Sequence, residues 1–271
     1  MYRFLLTRRW VTLHLVVLLV IPAFFLLGRW QFHRYELRSA EYHRTSANLA
    51  AAPVPLGALD SAGATVPDSV KFRQVTVTGH FDTAHELLVR RRPQNGQLGF
   101  YVLTPLITGG QGVLVNRGWV PAGETAEDVP KVTAPTTGQV SLTGRLRPAE
   151  TEDNSGIRDR PGLPAGQVLL INTADVGRAL PYRLFGGFIE LTAQTPAPPD
   201  GSPELVPDPD PGGGGGLNLA YGIQWWLFAV IAVGGWFVLV RREAQDLRGE
   251  HEEGTSPAGV NERIRTRDLP A

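Results

Sequence analysis

Two long apolar runs stand near opposite ends of the chain, and between them apolar and polar residues alternate in short stretches. The first run is residues 10–30, WVTLHLVVLLVIPAFFLLGRW; the second is 221–240, YGIQWWLFAVIAVGGWFVLV. A helix crossing a bilayer needs about 20 mostly apolar residues, so both runs predict membrane spans. Trp10 and Trp30 stand at the two ends of the first run, where indoles prefer the interface. That run is long for a signal peptide and no A-x-A-like cleavage site follows it, so it reads as an uncleaved span, with Pro22 as a candidate kink.

Residues 46–68 are rich in Ala, Pro, Gly and Ser with little periodicity and read as a loop. From Ser69 the texture changes. QVTVTGHF, HELLVRR, GFYVLTPLI, GVLVNRGWV, VSLTGRLR, QVLLIN and GFIELTAQ are β-like runs separated by turn signals. VSLTGRLR alternates most cleanly, with Val140, Leu142, Gly144 and Leu146 set against Ser141, Thr143, Arg145 and Arg147. The pattern predicts an antiparallel β-rich domain, barrel- or sandwich-like, over residues 69–195. One short helix is expected at TADVGRAL, with Thr173 as its N-cap.

The expected organisation is therefore a span at 10–30, a helix extension and loop at 31–68, and the β domain at 69–195. A Pro/Gly linker follows at 196–217, then a second span at 218–240 and a disordered tail at 241–271. The fold class is membrane α+β, two transmembrane helices in hairpin topology flanking a β domain. The linker, with its proline–aspartate alternation and glycine run, is expected to be a flexible tether that builds no site.

Charge fixes an orientation. No Lys or Arg occurs between Leu184 and Val240, and Arg241 and Arg242 follow at once. The positive-inside rule then puts the end of the second span in the cytoplasm. Two spans place both termini on one side, so residues 31–217 are expected outside the cytoplasm. The formal net charge of zero gives no argument for nucleic acid. The absence of cysteine excludes disulfides, thiolate metal sites and covalent c-type haem attachment.

The spans carry polar residues where hydrocarbon offers no partner. On a helical wheel Gly28, Gln31, Arg34, Tyr35 and Arg38 are read as one face of the first helix. Tyr221, Gln224, Trp225, Phe228, Ala232 and Gly235 are read as one stripe of the second. Both sets meet the same leaflet, so Gln31 and Gln224 are expected to face each other or a common partner. Gly28 would let a backbone or a flat group approach closely. Ordinary interfacial anchoring by Trp30 and Trp225, with Arg34 on lipid phosphate, is the competing reading.

Other chemistry is thin. No Walker A loop, G-x-S-x-G elbow or H-E-x-x-H helix is present, and no nucleophile–base set stands out, so the chain does not read as an enzyme. His80 and His85 flank a strand turn, but a metal site there needs more ligands than the domain offers. Arg117, in an apolar strand, must be paired or reach solvent, and its planar fork suits a carboxylate.

With these residues in place the chain resembles the surfeit-locus protein 1 family of cytochrome c oxidase assembly factors. LGRWQFHRYELR resembles its post-span G-x-W-Q-x-x-R segment, and GHFDTAHELLV its G-x-F-D…E-L strand pair. GFYVLTPL with VLVNRGWVP resembles its V-N-R-G-[WF]-V-P signature, and NLAYGIQWW the opening of its second span. The order and hairpin topology match over roughly residues 10–242.

The resemblance implies a plasma-membrane protein that matures haem–copper oxidase where haem a enters subunit I. Its implied partners are subunit I, other assembly factors and the bilayer. It makes Gln31, Arg34, Arg117, Asn218, Tyr221, Gln224 and Trp225 candidates for a haem a or partner surface. Some members are thought to bind haem a through a histidine opening the second span in an H-L-x-Y pattern. Here NLAY puts Asn218 at that position, and an asparagine amide is a poor iron ligand. Asn218 is instead expected to cap the second span. His33 is expected to face away from Gln31, His14 to be structural, and Tyr221 would need deprotonation to bind iron.

Overall fold

A computed structural model describes residues 3–123 and 129–253. The chain forms two units. One holds the chain up to Ala40 and from Gly213 on; the other is Glu41–Gly212.

The first unit is built on two helices, α1 (Arg8–Ala50) and α4 (Gly216–Glu253). Both are long and apolar enough to cross a membrane. No Asp, Glu, Lys or Arg interrupts residues 10–28 or 216–240, so an α-helix, which satisfies its own backbone, is the structure these stretches take in lipid. α1 has 43 residues and α4 has 38, about 65 and 57 Å at 1.5 Å per residue, well beyond a core of about 30 Å. Pro22 lies inside α1 without ending it. The helices run on where loop and disorder were expected. α1 continues through 46–50, and α4 continues past Arg241–Arg242 to Glu253, while 254–271 lie outside the described residues. Good helix formers in RREAQDLRGEHEE account for the second extension.

The other unit is a mixed eight-stranded sheet. Its strands are β1 (Val54–Pro55), β2 (Gln74–Phe81), β3 (Leu87–Gln94), β4 (Gln97–Thr108), β5 (Gln111–Pro121), β6 (Val140–Pro148), β7 (Gln167–Val168) and β8 (Leu184–Thr195). The spatial order is β1-β2-β6-β8-β5-β4-β3-β7. Two short helices, α2 (Glu152–Ser155) and α3 (Thr173–Gly177), lie in the connections. The expectation of an antiparallel barrel or sandwich is corrected. β1–β2, β3–β7 and β5–β8 are parallel, and the sheet curls only far enough for His80 and Phe81 of β2 to pair with Ile107 and Leu106 of β4. It is not a true barrel.

Three apolar clusters hold the sheet, the smallest being Leu88, Phe100 and Val102. Val75, Val77, Leu106, Val113, Val115, Leu142, Leu146 and Ile189 form one; Val89, Leu103, Leu114, Ile171, Leu184 and Phe188 form another. The end of α1 joins this unit through Asn48, whose amide donates to the carbonyls of Ser69 and Lys71 at 2.8 and 2.9 Å. The cap of α3 is Asn172, one residue before the expected Thr173. Its side chain accepts from the N–H groups of Ala174 and Asp175, both at 3.1 Å, while Thr173 is buried and donates to the Gly186 carbonyl.

Residues 203–208, inside the expected tether, lie on the sheet. Trp119 and Glu204 exchange both backbone hydrogen bonds, at 2.7 and 2.9 Å. The Arg145 guanidinium donates to the carbonyls of Val206 and Pro207 at 2.8 and 3.2 Å and to the Asp208 carboxylate. Within the expected flexible tether, this stretch is hydrogen-bonded to the sheet.

Candidate functional site

In the helix pair, Gly28 is buried and sits directly under the indole of Trp226: a Cβ there would overlap Nε1 and Cδ1. Trp226 stacks on Phe32 with centroids 4.5 Å apart and on Phe25 at 6.2 Å. Gly222 makes the reciprocal close approach, since a Cβ there would come within 2.8 Å of the Phe32 ring. Trp225 lies 5.5 Å from Phe24 and edge-on to Phe228 at 5.9 Å. Aromatic rings seated on glycines let the two helices come close.

The candidate residues divide over this pair. Gln31 turns inward beside Gly222, and its Oε1 is buried with no hydrogen-bond partner. Trp225 is half-buried, and so is Asn218. Tyr221 and Gln224 are exposed on the outside of α4. Gln31 and Gln224 make no hydrogen bond to each other among the described residues, the first turning inward and the second outward; a partner common to both is left as an expectation. Arg34 is likewise exposed, its guanidinium 5.7 Å from the ring centroid of Trp30. The assumed common face of Gly28 and Arg34 fails on geometry: six residues at 100° each leave them about 120° apart. Asn218 is not the cap. It lies in the first turn of α4, its N–H donating to Gly215 at 2.8 Å.

His14 is held inside the pair. Its Nδ1 accepts the indole N–H of Trp236 at 3.0 Å, with Trp10 on its other side at 5.8 Å. An indole nitrogen only donates, so Nδ1 must be the unprotonated nitrogen and Nε2 carries the proton. In that tautomer neither nitrogen is free to bind a metal.

In the sheet unit, Arg117 sits at a β-bulge. Val102 pairs with Gly118 and Leu103 with Asn116, so Arg117 is the extra residue and points inward although its neighbours do too. It is 4 % exposed and donates to Glu86 Oε2 and to the Thr133 carbonyl, both at 2.8 Å. Thr104 donates to the same Glu86 oxygen at 2.7 Å. Burial lowers the pKa of Arg117, and the Glu86 charge and hydrogen bond oppose that. Its carboxylate partner is thus intradomain.

Next to Glu86, the Asp82 carboxylate takes His85 Nδ1 and the Tyr182 hydroxyl, each at 2.7 Å, and the N–H of Ala84. Burial pushes Asp82 up, but these bonds outweigh it and hold it below the usual carboxylate range. Burial and Asp82 together push Tyr182 far up, so it stays protonated. Among the described residues no three His, Asp or Glu side chains gather around a metal-sized space.

The model of the SURF1 family matches residues 18–230. The chain belongs to the SURF1 family. A SURF1-like protein of Mycobacterium tuberculosis is 34 % identical over 238 residues, 84 % of this chain and 82 % of its own length. The cytochrome oxidase assembly protein SHY1 of Saccharomyces cerevisiae is 32 % identical over 106 residues, 38 % of this chain and 27 % of its own. Surfeit locus protein 1 of Xenopus tropicalis is 33 % identical over 157 residues, covering 50 % and 48 %.

A haem a group is implied for this family by the resemblance, and the helix pair tests the fit. The space over Gly28 is filled by the protein's own Trp226. Asn218 offers an amide, His14 is committed to Trp236, and His33 is exposed beside Glu36. The donors in this unit do not fit a histidine-ligated haem. Reading the sequence missed Phe24, Phe32, Gly222 and Trp226. The usable signal was the i, i+4 pair Gly222–Trp226 in an apolar helix, a small residue and a ring on one face.

Proposed function

We propose that this chain is a plasma-membrane assembly factor for haem–copper terminal oxidase, acting where haem a enters subunit I or where subunit I is held until it does. The observation that carries the reading is membership of the SURF1 family over residues 18–230, with the yeast relative named a cytochrome oxidase assembly protein. On this reading both termini lie in the cytoplasm and the sheet outside it; Arg241 and Arg242 after the second apolar run support the orientation. The chain works by binding proteins, not by catalysis.

Within this reading, Asn218 favours a scaffold for an oxidase subunit that holds no haem of its own. The exposed Arg34, Tyr221, Gln224 and Trp30 then form partner or lipid contacts around a closed aromatic pair. The test is deletion in a haem-a-producing host, with haem a absorbance of membranes and subunit I abundance as readouts. Both should fall and return with the full chain, and the isolated chain should carry no stoichiometric haem. A deletion strain with normal oxidase overturns the assembly reading. A stoichiometric haem a spectrum on the isolated chain overturns the scaffold version.

A further inference from the structure

β5 loses a neighbour half-way along. β8 pairs in parallel with β5 only as far as Asn116↔Glu190, then continues beside β6 as far as Ser141↔Thr195. Arg117–Pro121 of β5 would be left with a bare edge on that side. Glu204 occupies it, pairing with Trp119. The wedge between the parting strands is closed by residues 133–136 and 198–205. Thr133 donates to the Gly201 carbonyl at 2.8 Å, and Gln194 to Thr136 at 2.8 Å.

The signature residues are shaped for this contact. Gly118 has φ +136, and a Cβ on it would collide with the Glu204 carbonyl and come within 3.0 Å of the Pro203 carbonyl. Asn116 Oδ1 accepts the Gly118 N–H at 3.1 Å and fixes the bulge. Trp119 donates its indole N–H to the Arg92 carbonyl at 2.6 Å, which locks the strand that carries the edge.

A second anchor lies further along. Arg145 is 1 % exposed on the outer face of β6, a position that water would normally reach. Glu190 satisfies its Nε at 3.2 Å, and among the described residues its other partners belong to 206–208. A guanidinium tolerates that burial only while those carbonyls and Asp208 stay in place. Arg145 and the segment therefore hold each other.

We propose that the Asn116–Trp119 bulge edge and Arg145 form a docking site for residues 203–208, which act as a latch on the sheet and not as a free tether. Closed, the latch ties the chain to the sheet as far as Asp208; open, residues 203–208 leave the sheet while Ala197 and Gly201 stay bound to Thr136 and Thr133.

A protease that cuts after Glu tests this on the full-length protein in detergent. Glu204 lies in the latch, while Glu86, Glu150 and Glu190 lie in the sheet unit. Cleavage after Glu204 should be slow in the parent chain. It should rise roughly tenfold in Arg145→Met and in Gly118→Ala, ahead of any cut after the other three, because local opening of one segment precedes global unfolding. Arg147→Met, which also loses Glu190 but touches no latch atom, should leave the Glu204 rate unchanged. A parent chain cut after Glu204 as fast as a free peptide of the same sequence overturns the proposal. So does opening of all four sites together in Arg145→Met. Should Gly118→Ala fail to fold, Asp208→Ala decides. That carboxylate is 82 % exposed, so its loss should accelerate only the Glu204 cut, and no acceleration counts against the latch.

Discussion

Replacing Gly28 with alanine isolates what the helix pair contributes. The added methyl would overlap the Trp226 indole at Nε1 and Cδ1 and come within 3.1 Å of Cε2. The ring cannot slide away freely, because it is stacked on Phe32 at 4.5 Å and Phe25 at 6.2 Å. Overpacking of this kind costs about 1–3 kcal/mol, and each aromatic stack it breaks is worth about 0.5–1.5 kcal/mol. Against that, glycine to alanine inside a helix gains roughly 1 kcal/mol in propensity, so a net loss of about 1–2 kcal/mol is expected. The partner test is Trp226→Ala. It removes the clash, so Gly28→Ala in that background should cost nothing or stabilise slightly, a double-mutant coupling well outside the 0.3–0.5 kcal/mol of independent sites. SDS titration of the full-length protein in mixed micelles, followed by near-ultraviolet circular dichroism of the stack, reads the change. The seat argument fails if Gly28→Ala leaves the midpoint where it was, or if its effect survives undiminished in Trp226→Ala.

Arg117→Met should destabilise the sheet unit by about 3 kcal/mol, since it strips a buried partner from Glu86; for a unit of this size that is roughly 6–12 °C in melting temperature. Arg117→Lys should recover little, because one ammonium cannot reach Glu86 and the Thr133 carbonyl with the same fork; a melting curve equal to the parent's would refute this. Asp82 gives a pH signature. Its folded pKa lies below the ordinary aspartate value of 3.8, so its contribution is complete above about pH 4 and is lost as pH falls through the depressed value. Tyr182→Phe should therefore lower the melting temperature at neutral pH, with the gap from the parent narrowing below pH 4; a gap constant down to the acid limit would contradict it.

The strands were legible because period-two alternation is a local signal. QVTVTGHF coincides with β2, and the cores of β4, β5, β6 and β8 lie inside the runs read from sequence. QVLLIN was not, because only Gln167 and Val168 stay in the ladder. Beyond them the Leu169 carbonyl accepts from Arg92, and the Ile171 N–H donates to Glu150 at 2.9 Å. Side chains from far along the chain take over the backbone groups, and no window of neighbouring residues carries that information. Helix ends failed for a related reason: Asn48 reads as a loop residue until its amide meets two carbonyls beyond residue 68.

Arg145 carries the deeper lesson about the candidate site. Alternation set it with Ser141, Thr143 and Arg147, and the sheet does carry it on that outer set; what alternation could not supply is that a proline-rich segment lies over the face. Composition described residues 196–216 as unable to pack a core, and that is correct, since almost nothing apolar there is buried except Pro203. Packing a core is not the only way to be ordered. A proline has a preset φ and little conformational entropy to lose, so a few well-placed hydrogen bonds to a guanidinium and one strand edge can hold it. The same rule separates the two glycine classes in this chain. Gly212 and Gly213 would meet nothing if a Cβ were added, so there they give flexibility; Gly28, Gly118 and Gly222 would each strike a named neighbour, so there they give proximity. Composition counts both alike, and only the second kind marks a contact on which a function can depend.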